Sequence, residues 1–172
     1  MVIYLSPGDY HRFHSPAIHQ GHFRRHIAGY LSPVKPSYVN KHRDVFKNNE
    51  RVNIFGDWKD GNDFFFTSFV GALNVGSILL DFDEDVATNC YKPIDPYYED
   101  KSYMAGLENP LDYYLTEMKP EGSISFEKGE MTGRFEMGST IVLIYECNSS
   151  KTASFIKEGD AVRLGQQIVL TW

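Results

Sequence analysis

The sequence has few cysteines, no excess of basic charge and no long apolar run. Only two of its 172 residues are cysteines, Cys90 and Cys147, and they form no CxxC pair, so neither a disulfide framework nor a zinc knuckle is indicated. Seventeen basic against 23 acidic residues give a net charge of −6, which disfavours a nucleic acid partner. No stretch approaches 18 apolar residues, and no targeting signal is recognisable, so these residues predict no membrane span.

Short apolar segments dominate what is present. Aromatic residues make up 15% of the chain, and 14 glycines and 8 prolines divide it into pieces of the length that strands prefer. Runs rich in β-branched and aromatic residues predict strands at 2–5, 52–55, 64–70, 75–82, 124–126, 140–145 and 168–170. We therefore expect one mainly β domain over residues 1–172 with minor helix (α+β), built as a compact sandwich or barrel-like arrangement of short strands.

Helix is predicted in two places only. Residues 36–46 begin with a proline and a serine that can start a helical turn, and residues 110–118 also begin with a proline. Residues 83–121 are polar and contain four prolines, so this segment is expected to be a surface insertion between core strands.

Five of the six histidines fall within 16 residues: His11, His14, His19, His22 and His26. A metal site would pair His11 with His14 and add Asp9, but no HExxH spacing and no nearby cysteine supports it, and no metal is expected. For His19, His22, His26 and His42, hydrogen bonding to local backbone groups is the simpler interpretation.

Two motifs distinguish His11 and His14 from the others. Residues 5–16 read LSPGDYHRFHSP, a proline-initiated turn followed by Asp-Tyr-His-Arg-x-His. Residues 128–140 read KGEMTGRFEMGST, a glycine-punctuated run that ends in Gly-Ser-Thr. Between them stand the blocks NERV at 49–52, GDWK at 56–59 and VGALNVGSI at 70–78. Together and in this order they resemble the phosphatidylserine decarboxylase family, and the GDWK block is most similar to its mitochondrial, eukaryotic members.

The resemblance implies an enzyme that makes its own cofactor, a pyruvoyl group. In that scheme His14 removes the proton of Ser139, whose hydroxyl attacks the carbonyl of Gly138 and exchanges the peptide bond for an ester. Elimination then leaves a β-chain of residues 1–138 and an α-chain of residues 139–172 that begins with the pyruvoyl group derived from Ser139. The α-chain is expected to stay bound through the strand at 140–145.

Two further residues receive roles in the second, decarboxylating stage. A histidine near neutral pKa suits protonation of the carbanion left by carbon dioxide, and we assign that role to His11. Asp9 could contact the substrate ammonium or orient a histidine, but an Asx turn after Pro7 and Gly8 explains it equally well. Arg12 could meet a phosphate or carboxylate, or be a solvated side chain on an alternating strand.

The resemblance also implies the context of the reaction. The expected activity is decarboxylation of phosphatidylserine to phosphatidylethanolamine, at the mitochondrial inner membrane, with peripheral membrane contact through an amino-terminal part and a homodimer as one oligomeric state. Family members carry in that part an Asp-Gly motif whose aspartate completes a triad with histidine and serine; this chain is expected to start after that motif, so no residue here is assigned as the triad aspartate. Two alternatives remain: a pyruvoyl decarboxylase of a soluble amino acid, and a non-catalytic fragment or binding module.

Overall fold

A computed structural model of the chain describes residues 1–58, 63–73, 77–89, 98–106, 122–136, 139–147 and 152–171. Strands predominate there: β1 (Val2–Tyr4), β2 (Arg12–His14), β3 (His19–Ile27), β4 (Arg51–Trp58), β5 (Asp63–Val70), β6 (Ile78–Leu80), β7 (Tyr98–Ser102), β8 (Ile124–Phe126), β9 (Met131–Phe135), β10 (Thr140–Tyr145), β11 (Thr152–Ser154) and β12 (Val169–Thr171). The helices α1 (Pro36–Val39) and α2 (Val45–Asn48) are one turn each. The prediction of a mainly β protein with minor helix is confirmed.

The strands form three antiparallel sheets. The largest has seven strands in the order β1-β10-β5-β4-β3-β7, with β8 also paired to β3. A second sheet has the order β2-β9-β6, and β11 pairs with β12. In the described part of the chain these sheets stay open and do not close into a barrel.

An apolar core lies between the two larger sheets. The seven-stranded sheet contributes Val52, Ile54 and Phe69, while the three-stranded sheet contributes Phe13 and Phe135, all 5% exposed or less. The rings of Phe13 and Phe69 stack with centroids 3.9 Å apart, so β2 is held face to face with β5. This packing fixes the strand that carries His14 against the body of the fold.

Seven strands coincide with the seven predicted apolar runs. β1, β5, β8 and β10 match within one residue, β4 extends to Arg51 and Trp58, and β12 is shifted by one residue. β6 is shorter than the predicted 75–82, of which residues 75 and 76 lie outside the described ranges. The predicted helix at 36–46 is instead two single turns, and Asp44 between them takes the left-handed conformation with φ 61°. The predicted helix at 110–118 lies outside the described residues.

The nine-residue strand β3, next to the edge strand β7, buries polar residues that an apolar pattern does not predict. His22, Arg24 and His26 are each 5% exposed or less. Each meets a buried carboxylate: His22 Nε2 lies 3.3 Å from Asp57, Arg24 Nε 3.1 Å from Asp83, and His26 Nε2 3.0 Å from Glu50. Because buried charges are tolerated only when they are paired, these contacts make a nine-residue polar strand possible.

The predicted surface insertion at 83–121 contributes to the interior in its described parts. β7 pairs with β3 from Phe23↔Ser102 to Ile27↔Tyr98 and forms one edge of the large sheet. Asp83, Val86 and Met104 are 7% exposed or less. The charge pairs with β3 explain why these polar parts of the segment pack here.

Candidate active site

A tight turn precedes β2 and sets the direction of the residues that follow. The Asp9 backbone N–H donates to the Ser6 carbonyl at 2.9 Å, and the Ser6 N–H donates to Asp9 Oδ2 at 2.7 Å. One carboxylate oxygen of Asp9 is therefore used within the turn, but the donor stands three residues before Asp9 and not two after it, so this contact is not an Asx turn. Asp9 also lines the cleft described below, and its contact with a substrate ammonium stays a prediction.

His11 is half-buried and oriented by its own turn. Its Nδ1 lies 2.5 Å from the Asp9 carbonyl oxygen, and its backbone carbonyl accepts a hydrogen bond from Phe135 N–H at 2.9 Å. A carbonyl only accepts, so Nδ1 carries the proton in the neutral ring. Nε2 is buried and has no hydrogen-bond partner among the described residues. This leaves an unengaged ring nitrogen that can take up or release a proton.

His14 lies at the end of β2 and has both ring nitrogens engaged. Its Nδ1 is 2.9 Å from the Gly129 carbonyl oxygen, which accepts, so the neutral ring is protonated at Nδ1. Its Nε2 is 2.8 Å from the Tyr10 hydroxyl, which then donates. The tautomer is the one that a general base acting through Nε2 requires.

Ser139 is fully buried immediately before β10. Its hydroxyl has no hydrogen-bond partner within the described residues, and the same holds for Thr140 Oγ1 beside it. The Ser139 carbonyl accepts the Leu5 N–H at 2.8 Å, and β10 is paired on both sides, with β1 and with β5. A buried, unsatisfied hydroxyl on a fixed backbone is costly and rare, so it is a candidate for a reactive group. The predicted cleavage partner Gly138 lies outside the described residues.

A surface cleft of about 530 Å³ lies beside β2 and β9. It is lined by Asp9, Tyr10, His11, Arg12, Arg134, Phe135 and Glu136. Two of the predicted site residues, Asp9 and His11, therefore share this cleft, and His14 is joined to it through Tyr10. Ser139 is not among the described lining residues, and its hydroxyl forms no hydrogen bond with His14 in this structure.

The sequence analysis did not single out Tyr10, Arg134 or Gly129. Tyr10 and Gly129 hold His14, and Arg134 enters the cleft because β9 pairs with β2, where Arg12 lies opposite Arg134. The strands are separated by more than a hundred residues, and no local pattern reports that pairing. The contact of Tyr10 with His14 could have been proposed from the sequence, since Tyr10 stands four residues before His14 in the same motif.

The other histidines of the cluster belong to the fold. His19 Nδ1 contacts Ser15 Oγ at 2.9 Å and the Ala17 carbonyl at 3.1 Å, and burial lowers the pKa of His19. His22 and His26 face the carboxylates of Asp57 and Glu50. Side-chain partners thus account for these two, where the sequence analysis expected backbone groups.

Within the ranges that the structure describes, no three His, Cys, Asp or Glu side chains come together as a metal-binding group. The described helices are also too short to cross a bilayer.

Comparison with known proteins gives a consistent match. The family model described as phosphatidylserine decarboxylase matches residues 1–170. The mitochondrial phosphatidylserine decarboxylase proenzyme of Cricetulus griseus is 44% identical over 168 residues, which cover 97% of this chain and 37% of that protein. The mitochondrial proenzyme 1 of Saccharomyces cerevisiae is 41% identical over 169 residues, covering 97% of this chain and 31% of that protein. The Caenorhabditis elegans mitochondrial proenzyme is 36% identical over 170 residues, which cover 98% of this chain and 40% of that protein. The chain therefore spans well under half the length of these relatives.

Proposed function

The chain belongs to the phosphatidylserine decarboxylase family, and from that premise we propose that it forms the part of a pyruvoyl-dependent enzyme that converts phosphatidylserine to phosphatidylethanolamine. The observation that carries the proposal is the Ser139 hydroxyl, fully buried and without a described hydrogen-bond partner at the start of a doubly paired strand. Such an orphaned hydroxyl fits a residue that is consumed to make the pyruvoyl group. The group supplies a carbonyl that accepts the electron pair released when carbon dioxide leaves.

The bonds that break and form in the proposed self-cleavage belong to Gly138 and Ser139. Ser139 Oγ loses its proton and bonds to the Gly138 carbonyl carbon, the peptide C–N bond breaks, and the freed Ser139 amine takes a proton, which leaves an ester. Loss of the Ser139 α-proton then breaks the Cβ–O bond and releases Gly138 as a carboxylate. The remaining dehydroalanine tautomerises and takes up one water, and ammonia leaves as the pyruvoyl group forms.

In this scheme His14 is the base for the first proton. Its Nδ1–H donates to the Gly129 carbonyl, so Nε2 holds the lone pair that can accept the Ser139 proton. Tyr10 now donates to that nitrogen, and the Tyr10 hydrogen bond must open before His14 reaches Ser139. A reorientation of His14 is thus part of the proposed first step.

His11 is proposed to act later, as the proton donor after carbon dioxide leaves. Its Nδ1–H is fixed on the Asp9 carbonyl, while Nε2 is buried beside the cleft and unpartnered in the described part of the chain. Nε2 can therefore carry a proton to a substrate carbon without first breaking a hydrogen bond. In the same cleft, Asp9 is proposed to face the substrate ammonium with the oxygen that the turn leaves unused.

The large sheet provides contacts that can keep the α-chain bound to the β-chain after cleavage. In the proposed α-chain, residues 139–172, β10 lies between β1 and β5 of the β-chain, with six residue pairs in register with β5. Leu143 is 5% exposed and packs with Trp58 and Phe65. These contacts hold the two chains together without a covalent link.

The setting is part of the proposal as well. The relatives are named mitochondrial proenzymes, and we extend that location to this chain, at the inner membrane, with peripheral contact to the bilayer that holds the lipid substrate.

Intact-mass spectrometry of the native polypeptide that contains these 172 residues tests the proposal. The protein should yield two chains that separate between Gly138 and Ser139, with the smaller blocked to Edman degradation by its pyruvoyl group. Ser139→Ala should remain a single chain, and Ser125→Ala, at an exposed serine of β8, should split like the parent. Splitting of Ser139→Ala at the same bond would refute the assignment of Ser139.

A further inference from the structure

Two arginines face each other across the β2–β9 pair. Arg12 is the register partner of Arg134, both side chains are exposed, and both line the cleft that contains His11. Side chains at directly opposed positions of an antiparallel pair have Cβ atoms about 5 Å apart, so like charges there repel each other. This arrangement costs stability unless an anion lies between the two guanidinium groups.

The protein supplies little negative charge to this pair. Arg12 forms no hydrogen bond or ion pair with the described residues, and Arg134 Nη1 has only a distant contact to Asp81 Oδ1, at 3.9 Å. Two carboxylates line the same cleft: Asp9 has one oxygen committed to the Ser6 N–H, and Glu136 forms no ion pair with either arginine in the described residues. Two largely uncompensated guanidinium groups remain at the mouth of the cleft, in a chain whose net charge is −6.

We propose that Arg12 and Arg134 together bind the phosphodiester group of the lipid substrate, which places the serine part of the headgroup toward His11. The inference rests on the proposed function and deepens it. Each guanidinium offers a planar fork of N–H donors, and two non-bridging oxygens of a phosphodiester can accept from both sides. The unreacting phosphate would thereby position the reacting end of the molecule.

The choice of phosphate over carboxylate follows from the reaction. The substrate carboxylate loses its charge as carbon dioxide forms, so two arginines bound to it would stabilise the ground state more than the transition state and slow the reaction. The phosphodiester keeps its charge throughout, so binding it carries no such penalty. A free amino acid lacks this group and gains nothing from the pair.

Binding of soluble headgroups to the Ser139→Ala form of the native polypeptide gives a direct test by calorimetry. Glycerophosphoserine should bind, serine should bind more weakly, and inorganic phosphate should bind more weakly than glycerophosphoserine because it cannot occupy the His11 end. Arg12→Gln and Arg134→Gln should each weaken glycerophosphoserine binding roughly 10- to 100-fold and leave serine binding unchanged. Arg163→Gln, at an exposed arginine near the carboxyl terminus, is the matched control and should bind like the parent.

Thermal unfolding separates binding from a structural role. Without ligand, removal of either arginine relieves the repulsion, so Arg12→Gln and Arg134→Gln should unfold at the same or a higher temperature than the parent. Arg12→Lys retains the charge and should recover part of the affinity. A lower unfolding temperature in both Gln variants together with unchanged headgroup binding would overturn the proposal, as would equal affinity for inorganic phosphate and glycerophosphoserine.

These readouts are independent of catalysis. The proposed function fails if the parent protein neither splits nor decarboxylates, whereas headgroup binding is measured in a variant that does neither. In the cleaved enzyme, the same two substitutions should raise KM for phosphatidylserine in mixed micelles about 10-fold or more with a smaller change in kcat, and self-cleavage should remain complete.

Discussion

The Tyr10 hydroxyl lies 2.8 Å from Nε2 of His14, and the two rings stack with centroids 5.7 Å apart. Because Gly129 accepts from Nδ1, this hydrogen bond occupies the one nitrogen of His14 that can act as a base. In the proposed scheme, Tyr10 thus holds His14 in a resting geometry in which its basic nitrogen is not available to Ser139.

Replacement of Tyr10 by Phe should test that relationship. The ring contact with His14 is preserved, but the competing hydrogen bond, worth about 1 kcal/mol, is lost. We expect self-cleavage to proceed at least as fast as in the parent and up to several-fold faster, as followed by the time course of chain splitting on denaturing gels. Tyr30→Phe, at a tyrosine that is 67% exposed, serves as control. A tenfold slower reaction in Tyr10→Phe would instead show that Tyr10 orients His14 productively.

The two histidines should separate by stage. His14→Ala removes the proposed base and should abolish splitting, whereas His11→Ala should split normally and then turn over phosphatidylserine at least 100-fold more slowly. Intact mass reports the first stage, and release of labelled carbon dioxide reports the second.

His42→Ala provides the control for the histidine pair, since His42 stacks on Tyr38 away from the cleft. Reversed phenotypes would exchange the roles of His11 and His14. Loss of both stages in both variants would mean that the pair supports the turn between Asp9 and Ser15 as one structural unit.

Local sequence patterns predicted the strands whose own residues are mainly apolar. The runs at 64–70 and 140–145 consist of β-branched and aromatic residues, and both are strands that pair with each other. The sequence patterns did not predict β3, because its buried positions include His22, Arg24 and His26, whose carboxylate partners come from other segments of the chain. Hydrophobic periodicity cannot report a buried residue that is neutralised by a remote charge.

The same distinction applies to the site. Ser139, His14, His11 and Asp9 were proposed from motifs, and the structure brings Asp9 and His11 into one cleft. Arg134 joins them only because Phe13 packs over Gly133 and brings β2 and β9 into register; a Cβ at Gly133 would lie 2.6 Å from the Phe13 ring. That register depends on long-range packing, which is invisible in a single sequence.

Stability should depend on Asp83. This buried carboxylate accepts hydrogen bonds from Arg24 at 3.1 Å, Lys101 at 2.8 Å and Tyr103 at 2.6 Å. Burial alone would raise the pKa of Asp83, but the hydrogen bonds from Lys101 and Tyr103 and the charge of Arg24 outweigh it and lower the pKa. Asp83→Asn leaves the buried Arg24 with Glu99 as its remaining ion-pair partner, 2.9 Å from Nη2, and we expect a loss of about 3 kcal/mol in the free energy of unfolding at pH 7, the lower end of the range for breaking a buried pair.

The contribution of the Asp83 charge to the free energy of unfolding should depend on pH. A folded-state pKa below the unfolded value of about 3.9 stabilises the protein above that pH, and the contribution disappears as the pH falls through the folded-state pKa. Urea unfolding at pH 7 and near pH 3 should therefore show the difference between parent and Asp83→Asn shrinking in acid. Asp85→Asn, at a 75% exposed carboxylate that also contacts Lys101, should change stability little at either pH. A difference that stays constant with pH would contradict the assigned role of the Asp83 charge.

The 172-residue chain taken alone should remain uncleaved or cleave very slowly at neutral pH. Gly129 fixes the tautomer of His14 but carries no charge, and no carboxylate in the described residues contacts His14 to stabilise the imidazolium that forms when Ser139 loses its proton. In serine–histidine–aspartate systems, disabling the carboxylate costs about 10⁴-fold in rate, part of it through the wrong tautomer. With the tautomer already correct, a smaller loss of about 10²- to 10³-fold is expected here. Intact mass over several days, with Ser139→Ala as the control for adventitious proteolysis, measures the rate of chain splitting.

Hydroxylamine would capture any ester that accumulates, so it should not accelerate splitting if ester formation is the slow step. Prompt and complete conversion to two chains would show that a carboxylate is dispensable or is supplied from within these residues.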